Sequence, residues 1–248
     1  MKQNILLLAG WCVLLALPAC NNTTESEEAA SADTEEVAET YIDPVVAASE
    51  YYTLLSEEGP VRVIEMKLPA GARDNLHSHR HETVYFVQGG KVKIHVGDEV
   101  MDAEIPDGHV MHHAPWTHSV ENVGETTVHA IIFELTEPGE IAAMEGYIDA
   151  TEAASDHYSL LSSEGGVRVV HMKLGPGETD QQHSHYQETV YFITGGKANI
   201  HVGEEVVEAD IPDGHVMHHA PWTHSVSNVG ETTIEALIFE QVPASGGD

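Results

Sequence analysis

Two short histidine-rich segments contain the residues of this chain that are most able to do chemistry. The segment HSHRHE at residues 77–82 returns as HSHYQE at residues 183–188, and the string GHVMHHAPWTHSV follows each copy. Alternate residues of a β-strand point to one side, so the two histidines of His-Ser-His can share a metal ion. A third imidazole can come from the later string when its strand lies beside the first. Three histidines with an open coordination position suit a catalytic transition-metal ion.

These segments lie within an internal repeat that spans most of the chain. Residues 41–135 align with residues 147–241 without a gap, and about 64 of the 95 aligned positions are identical. A repeat of this length predicts two structurally similar domains. Residues that recur are the stronger site candidates, and among them are His77, His79, His118, His183, His185 and His224. The weaker candidates are those that differ between the copies: His81, His129 and Glu65, which align with Gln187, Glu235 and His171.

The repeat consists of short β-rich runs separated by turn signals. Runs such as VRVIEMKL, ETVYFV and KVKIHV alternate with glycine-containing turns. This rhythm shows no helical period and predicts an antiparallel sandwich or barrel. In KVKIHV, Val92 and Ile94 alternate with Lys93 and His95. We therefore expect the valine and the isoleucine in the core and the other two residues at the surface.

The order of these residues resembles the motifs of the cupin superfamily. The first motif is Gly, five residues, His-x-His, a short gap, Glu, and Gly, and it is matched by Gly71, His77, His79, Glu82 and Gly89, and again by Gly177, His183, His185, Glu188 and Gly195. The second motif is matched by Pro115, His118 and Asn122, and by Pro221, His224 and Asn228. The resemblance covers about 80 to 95 residues of each copy. It implies an all-β chain of two tandem antiparallel jelly-roll barrels, a bicupin. In each barrel the three histidines would bind one divalent metal ion: iron, zinc, manganese or nickel.

The carboxylate position of the first motif is ambiguous. Only two residues separate His79 from Glu82, one fewer than the family's usual gap. If the motif glycine is the next one along the chain, Thr83 takes this position and the site is left with three histidines. Neighbouring strand residues face opposite ways, so Glu82 and Thr83 cannot both point inward without a bulge. The same alternatives hold for Glu188 and Thr189.

The sequence leaves the catalytic residues open, with candidates in both copies: Glu82, Tyr85, His113, Glu188, Tyr191 and His219. Tyr85 lies in an apolar run and is either a core residue or one whose hydroxyl points at the site. At most one of His112 and His113 faces inward, as a proton donor near the metal or as a structural histidine. Trp116 either walls a substrate pocket or packs at a loop. Arg62 either clamps a substrate carboxylate or forms an ion pair with one of the many acids.

The N-terminus has the features of an export signal. Lys2 precedes an apolar run at residues 5–17, which is too short to span a membrane and is typical of a signal peptide. The sequence Leu-Pro-Ala-Cys that ends at Cys20 resembles the lipobox of bacterial lipoproteins, which implies lipidation of Cys20; an ordinary cleaved signal peptide is the alternative. Asn21 stands where an aspartate would favour retention at the inner membrane. We therefore expect a lipid anchor in the outer membrane, facing the periplasm.

Four segments are predicted along the chain. In order, they are the lipoprotein signal (1–20), a flexible acidic tether (21–40), the first barrel (41–138) and the second barrel (139–248). The tether is predicted because its residues are polar and offer almost no apolar surface to bury. Each barrel begins with a stretch that we expect to be helical or irregular, at residues 41–49 and 141–155.

Charge and cysteine content exclude several classes of function. The formal net charge of -31, from 41 acidic and 10 basic residues, repels phosphates, so nucleic acid is excluded as a partner. Membrane contact is expected through the lipid anchor only. Cys12 lies in the signal and Cys20 would carry the lipid, so the mature barrels have neither disulfides nor thiolate metal ligands.

These observations point to a metal-binding bicupin of the cell envelope. One hypothesis is a metal-dependent enzyme for a small organic molecule, and cupin reactions include those of dioxygenases, decarboxylases, isomerases and lyases. The alternative is a non-catalytic lipoprotein that binds metal or a small ligand. A structural protein with remnant histidines is disfavoured because both histidine sets persist. We also expect Val- and Ile-rich strands to bring the two barrels together, and a homo-oligomer is a further expectation.

Overall fold

The structure is a computed structural model that describes residues 40–136 and 139–243. The predicted lipoprotein signal that ends at Cys20 lies outside the described residues, and so does the predicted tether except for Thr40. Within the two described ranges, no helix combines the length and the apolar character that crossing a membrane requires.

Each half of the described chain contains one short helix followed by nine strands. In residues 40–136 these are α1 (Pro44–Ala47), β1 (Tyr52–Glu58), β2 (Val61–Leu68), β3 (His77–His79), β4 (His81–Gln88), β5 (Gly90–Val96), β6 (Glu99–Ile105), β7 (Val110–His113), β8 (Trp116–Asn122) and β9 (Val128–Leu135). In residues 139–243 they are α2 (Ala150–Ala153), β10 (Tyr158–Glu164), β11 (Val167–Leu174), β12 (His183–His185), β13 (Gln187–Thr194), β14 (Gly196–Val202), β15 (Glu205–Ile211), β16 (Val216–His219), β17 (Trp222–Asn228) and β18 (Ile234–Gln241). The same order in both halves follows from the internal repeat.

Each half folds into one five-stranded and one four-stranded sheet. The orders in the first half are β1-β2-β9-β4-β7 and β3-β8-β5-β6, and the second half repeats them as β10-β11-β18-β13-β16 and β12-β17-β14-β15. Neighbouring strands are antiparallel. This arrangement confirms the predicted all-β fold of two jelly-roll barrels. The two short helices lie in the stretches predicted to be helical or irregular.

The apolar core of each barrel lies between its two sheets. On β2, Ile64, Met66 and Leu68 point into this core, where they join Phe86 of β4 and Val92 of β5. Burying a side chain of this size stabilises the fold by roughly 1.5–3 kcal/mol. The burial of Val92 agrees with the alternation predicted for β5.

The five-stranded sheets also bury their other faces, because the two barrels contact each other there. On β2, Val61 and Val63 point away from the barrel core, and with Phe133 they join Val169 and Phe239 of the second barrel in one buried cluster. The rings of Phe133 and Phe239 stack on each other. This contact confirms that apolar strands bring the barrels together.

Two reciprocal hydrogen bonds cross the contact between the barrels. His112 Nε2 lies 2.7 Å from Ser162 Oγ of the second barrel, and His218 Nε2 lies 2.8 Å from Ser56 Oγ of the first. A threonine hydroxyl of its own barrel holds the Nδ1 atom of each histidine, as in the 3.0 Å contact of His112 with Thr83. Corresponding residues thus make corresponding contacts, as in a two-fold symmetric pair.

Candidate metal centres

Three histidines of each barrel meet because of how two of its strands pair. His77 of β3 lies opposite His118 of β8, and His79 points to the same side as His77. All three side chains are buried, and their ligand atoms lie within 4.8 Å of one another. The corresponding group in the second barrel is His183, His185 and His224. The six histidines singled out from the sequence are therefore brought together as two groups of three.

The ring nitrogens of each group are arranged as ligands for a cation. His77 Nδ1 donates to the carbonyl oxygen of Asn75 at 2.8 Å, which leaves the lone pair of Nε2 free. That Nε2 atom is buried without a hydrogen-bond partner among the described residues, and so is His118 Nδ1. An unpartnered buried polar atom costs roughly 1–3 kcal/mol. A divalent transition-metal ion would accept these lone pairs, so the residues fit the metal that the cupin resemblance implies.

A buried glutamate holds the third ring of each group. Glu134 of β9 is fully buried, and its Oε1 atom lies 2.8 Å from His79 Nδ1. Glu240 holds His185 in the same way at 2.9 Å. An ionised carboxylate can only accept, so Nδ1 carries the proton and Nε2 is the free ligand atom. Glu134 is not among the residues singled out from the sequence, although a glutamate that recurs within an apolar strand is a signal of such a role.

Burial and nearby charges set the protonation of the first group. Burial, together with the neighbouring histidines, lowers the pKa of His77 to about 4 and that of His118 to about 2. Burial also acts to lower the pKa of His79, but Glu82 and Glu134 outweigh it and the pKa is raised. Burial raises the pKa of Glu82. Burial also acts to raise the pKa of Glu134, but the hydrogen bond from His79 and the charges of His79 and Arg62 outweigh burial, and the pKa of Glu134 is lowered. At neutral pH, two neutral imidazoles are thus available to a metal ion.

The structure decides which residue occupies the carboxylate position. Glu82 points into the first barrel, where its Oε1 atom accepts a hydrogen bond of 2.6 Å from the Trp116 indole and its Oε2 atom lies 3.4 Å from His79 Nδ1. Thr83 faces the contact between the barrels, where its hydroxyl is bonded to a histidine of β7. Glu188 repeats the position of Glu82 in the second barrel. The carboxylate therefore lies next to a ligand group that consists of histidines alone.

A small cavity lies inside each barrel beside the histidines. Its volume is about 50 Å³ in the first barrel and about 40 Å³ in the second. The polar lining of the first cavity comes from Tyr52, His79, Glu82, Trp116 and His118, and the remaining lining is apolar. No lysine or arginine occurs among the described residues that line either cavity. Since one water molecule needs roughly 10–15 Å³, each cavity holds about three or four groups of that size.

Tyr85 does not lie at the cavity. Tyr85 and its counterpart Tyr191 belong to the buried cluster between the barrels. The reason is strand alternation: Tyr85 shares the face of β4 that carries Thr83, and this face is turned toward the second barrel. The two tyrosines proposed as catalytic candidates are therefore core residues and not site residues.

His113 lies at the edge of the site. Its ring stacks on Trp116 with 3.8 Å between ring centroids, and Trp116 lies 3.8 Å from His118. Its Nδ1 atom is bonded to the Ala114 carbonyl at 2.6 Å. His219 makes the same contacts in the second barrel. Trp116 lines the cavity, whereas His113 and His219 are not among the described lining residues.

The two recurring arginines form ion pairs. Arg62 lies 2.9 Å from both Glu134 and Asp43, and Arg168 makes the corresponding pairs in the second barrel. Neither arginine is among the described residues that line a cavity. The ion-pair interpretation is therefore confirmed, and the substrate clamp is not formed.

A tyrosine and an aspartate that were not singled out from the sequence also contact the site. The Tyr52 ring lies 4.8 Å from the His77 ring, and its hydroxyl donates to Asp74 at 2.8 Å. Tyr158 and Asp180 repeat this arrangement. Tyr52 is buried and lines the cavity, so it forms part of the cavity wall beside the histidines.

Comparison with known proteins supports the fold. No family model matches the sequence, and no curated protein is significantly similar to it. Similar solved structures are cupin-fold proteins. AerE from Microcystis aeruginosa is 15% identical over 77% of this chain and 92% of its own, with a TM-score of 0.53. Oxalate decarboxylase from Bacillus subtilis, which has Mn(II) centres, is 15% identical over 79% of this chain and 73% of its own, with a TM-score of 0.55.

A third similar structure, protein Ylba from E. coli, is 10% identical over 79% of this chain and 84% of its own, with a TM-score of 0.51. Identities this low establish a shared fold, and a fold supports many functions. The chain therefore has the cupin fold, with two jelly-roll barrels in tandem and a buried group of three histidines in each.

Proposed function

We propose that each barrel binds one divalent transition-metal ion through its three histidines and that the protein is a metal-dependent enzyme for a small organic molecule. The observation that carries the proposal is the set of buried imidazole nitrogens without partners among the described residues, next to a cavity that a carboxylate also lines. Three protein ligands with an open position are typical of catalytic centres, whereas structural centres use all of their positions for protein ligands.

The donor atoms narrow the choice of metal. Imidazole nitrogens suit zinc, iron and nickel, whereas manganese prefers carboxylate and water oxygens. Three histidines alone therefore favour the first three metals, and manganese would need Glu82 as a further ligand. Oxalate decarboxylase, with its Mn(II) centres, is similar to this chain in fold only. A bound ion would supply a Lewis acid that polarises a carbonyl group or a water molecule.

We assign proton transfer to Glu82 and Glu188. Glu82 is buried and lines the cavity, and its Oε1 atom accepts a hydrogen bond from the Trp116 indole. Its Oε2 atom lies 3.4 Å from His79 Nδ1, beyond the usual N–H···O length, and would exchange a proton with a substrate. Glu188 Oε2 is buried without a hydrogen-bond partner among the described residues. A carboxylate within reach of a bound substrate can act as general base and then as general acid. This arrangement favours reactions that move a proton on the substrate, namely isomerisation or β-elimination.

The cavity lining also bears on the substrate. A dicarboxylate would find no lysine or arginine among the described lining residues. A bound divalent ion would itself supply positive charge to a carboxylate, so the lining does not exclude an anionic substrate. The mostly apolar walls exclude water and accept a molecule of a few heavy atoms.

The alternative function is non-catalytic binding of metal or a small ligand. The small cavity volumes of about 50 and 40 Å³ favour it, because a larger substrate requires the barrel to open. Azide binding to the cobalt(II)-loaded chain separates a centre that accepts an added molecule from a metal store. A change in the cobalt absorption bands shows an open coordination position, which an enzyme and a small-ligand binding protein both need, whereas no change supports metal storage.

Metal analysis tests the ligand assignment. The mature chain, purified without tag histidines, should contain two equivalents of one transition metal. Replacing His77, His79 and His118 together by alanine should remove one equivalent, and the same triple substitution in the second barrel is the matched control. If neither variant loses metal, the ligand assignment is wrong.

We further propose that the chain is a lipoprotein anchored through Cys20 at the outer membrane, facing the periplasm. The Leu-Pro-Ala-Cys sequence and the residue Asn21 support this proposal. Cells fed labelled palmitate should incorporate it into the wild-type chain but not into Cys20→Ala, and only the wild type should sediment with outer membranes. A wild-type chain without label contradicts the anchor.

A further inference from the structure

Each barrel begins with a short segment that is bonded to the strand carrying two of the three histidines. In the first barrel this segment is residues 41–43. The Ser78 N–H donates to the Ile42 carbonyl at 2.7 Å, and the Ile42 N–H donates to Ser78 Oγ at 3.2 Å. Ser78 stands between His77 and His79. The segment is therefore tied to the backbone between two candidate ligands.

Side chains of the same segment hold a buried arginine. Arg62 Nη2 donates to both carboxylate oxygens of Asp43, at 3.1 and 2.9 Å, and Nη1 donates to the Tyr41 hydroxyl at 2.7 Å. Nη1 also donates to Glu134 Oε2 at 2.9 Å. Only 6% of the Arg62 side chain is exposed, so these acceptors replace water around its charge.

Glu134 connects this arginine to a candidate ligand. Its second oxygen, Oε1, lies 2.8 Å from His79 Nδ1. Because Arg62 binds one oxygen and His79 the other, the carboxylate is held in one orientation. The glutamate side chain has no exposed surface, so its charge depends on these partners and on longer hydrogen bonds from the Tyr41 hydroxyl at 3.3 Å and the Arg80 N–H at 3.4 Å. A continuous path of hydrogen bonds thus runs from Tyr41 and Asp43 to His79.

The second barrel repeats this path after a different upstream sequence. The corresponding residues are Tyr147, Ile148, Asp149, Arg168, Ser184, His185 and Glu240. Arg168 lies 2.9 Å from Asp149 and 3.5 Å from Glu240, whose Oε1 atom lies 2.9 Å from His185 Nδ1. The first segment follows the predicted tether and the second follows the linker between the barrels. The recurring element is the tripeptide Tyr-Ile-Asp.

We infer that the Tyr-Ile-Asp segments at residues 41–43 and 147–149 are positioning elements of the two metal centres. The inference rests on the proposed metal binding by the three histidines. Through Arg62 and Glu134, the first segment keeps the His79 proton on Nδ1 and its lone pair on Nε2, and the backbone bonds keep the strand in place. Because coupling between two events is reciprocal, metal binding also holds the segment against its barrel.

The test compares single substitutions in the mature chain with both barrels present. Glu134→Gln removes the charge at the centre of the first path, and Glu240→Gln does so in the second. Each should weaken cobalt(II) binding about 10- to 100-fold at its own centre and leave the other centre unchanged. Competition with a chromophoric chelator measures both constants. Glu65→Gln is the matched control, because Glu65 also pairs with a histidine, His129 at 2.9 Å, outside the ligand group.

A second variant tests the segment itself and remains informative if Glu134→Gln does not fold. Asp43→Asn keeps the shape of the side chain and removes the negative charge that Asp43 places next to Arg62. It should weaken cobalt(II) binding at the first centre only. In the zinc-bound chain, the NMR signal of the His79 Nδ1–H proton should move upfield as its hydrogen bond to Glu134 weakens. In the wild type, zinc should slow proteolytic cleavage at residues 40–43.

The outcomes separate the inference from the proposed function. Weakened binding at the centre whose path is changed, with Glu65→Gln unaffected, supports the inference. Two tight equivalents in every variant would overturn the inference and leave metal binding intact. A wild-type chain that binds no cobalt(II) at either centre overturns the proposed function and the inference with it.

Discussion

His118 shows whether the histidine groups are arranged for metal at the expense of stability. Its ring lines the first cavity, and its buried Nδ1 atom has no hydrogen-bond partner among the described residues. Leucine has a similar volume and no polar atom, and the adjoining cavity of about 50 Å³ leaves room for its branched end. In the absence of metal, His118→Leu should therefore raise the free energy of unfolding by roughly 1–3 kcal/mol, the cost of the unpartnered atom.

The order of stabilities should reverse when metal is present. A ligand that binds only the native state stabilises it by about 4.1 kcal/mol per site at 1,000 times its Kd. The wild-type chain gains this at two centres, and His118→Leu gains it at one. The stabilisation lost with one metal ion, about 4.1 kcal/mol, exceeds the roughly 1–3 kcal/mol gained by removing the unpartnered polar atom. The variant should therefore be the less stable protein in excess zinc.

Differential scanning calorimetry at neutral pH measures both effects. In a chain of this size, 1 kcal/mol corresponds to a Tm change of roughly 2–4 °C, so the variant should melt about 2–12 °C above the wild type in chelator. In excess zinc it should melt below the wild type. His224→Leu is the matched variant in the second barrel and should behave in the same way. A variant that melts lower than the wild type in chelator and still binds two zinc ions would refute the reasoning.

Three further outcomes are expected. Glu82→Gln should keep two equivalents of zinc, since the ligand group contains histidines alone, and a metal content of one equivalent would make Glu82 a ligand. Burial lowers the pKa of His112, with Glu164 acting in the opposite direction. The unfolded chain therefore takes up this proton first, and the stability from His112 is complete above about pH 6.5 and is lost as the pH falls toward the folded pKa. In chelator, the unfolding free energy of His112→Asn should fall less steeply between pH 7.5 and 5 than that of the wild type, and equal slopes contradict this. Glu65→His should destabilise the first barrel and adding His129→Glu should restore it, because the second barrel carries this pair in the reversed order; urea unfolding of the single and double variants checks the restoration.

The reversed pair shows where comparison of the two copies misleads. Glu65 and His129 differ between the copies and are therefore weaker site candidates when each position is judged alone. The structure shows that they are partners and that His171 and Glu235 form the same pair with exchanged residues. The two positions are 64 residues apart, so no local pattern connects them.

Short-range patterns account for the architecture and for the ligand types. Alternation within runs, turn signals between them and a gapless repeat are local properties of the chain, and they predict two antiparallel barrels. Two residues apart on a strand, His77 and His79 must point to one side wherever that strand lies. The string that recurs later in each copy contains His118, and strand pairing brings it opposite His77.

Long-range packing settles which residues surround those ligands. Strand β4 is buried on both faces, so the pattern of ETVYFV cannot tell which face is the barrel interior. Thr83 and Tyr85 lie on the face of β4 that contacts the second barrel, and Glu82 lies on the opposite face, toward the histidines. Glu134 reaches His79 across 55 residues of chain because β9 lies between β2 and β4. A strand's residues specify its two faces, whereas its neighbours in the fold specify what each face contacts.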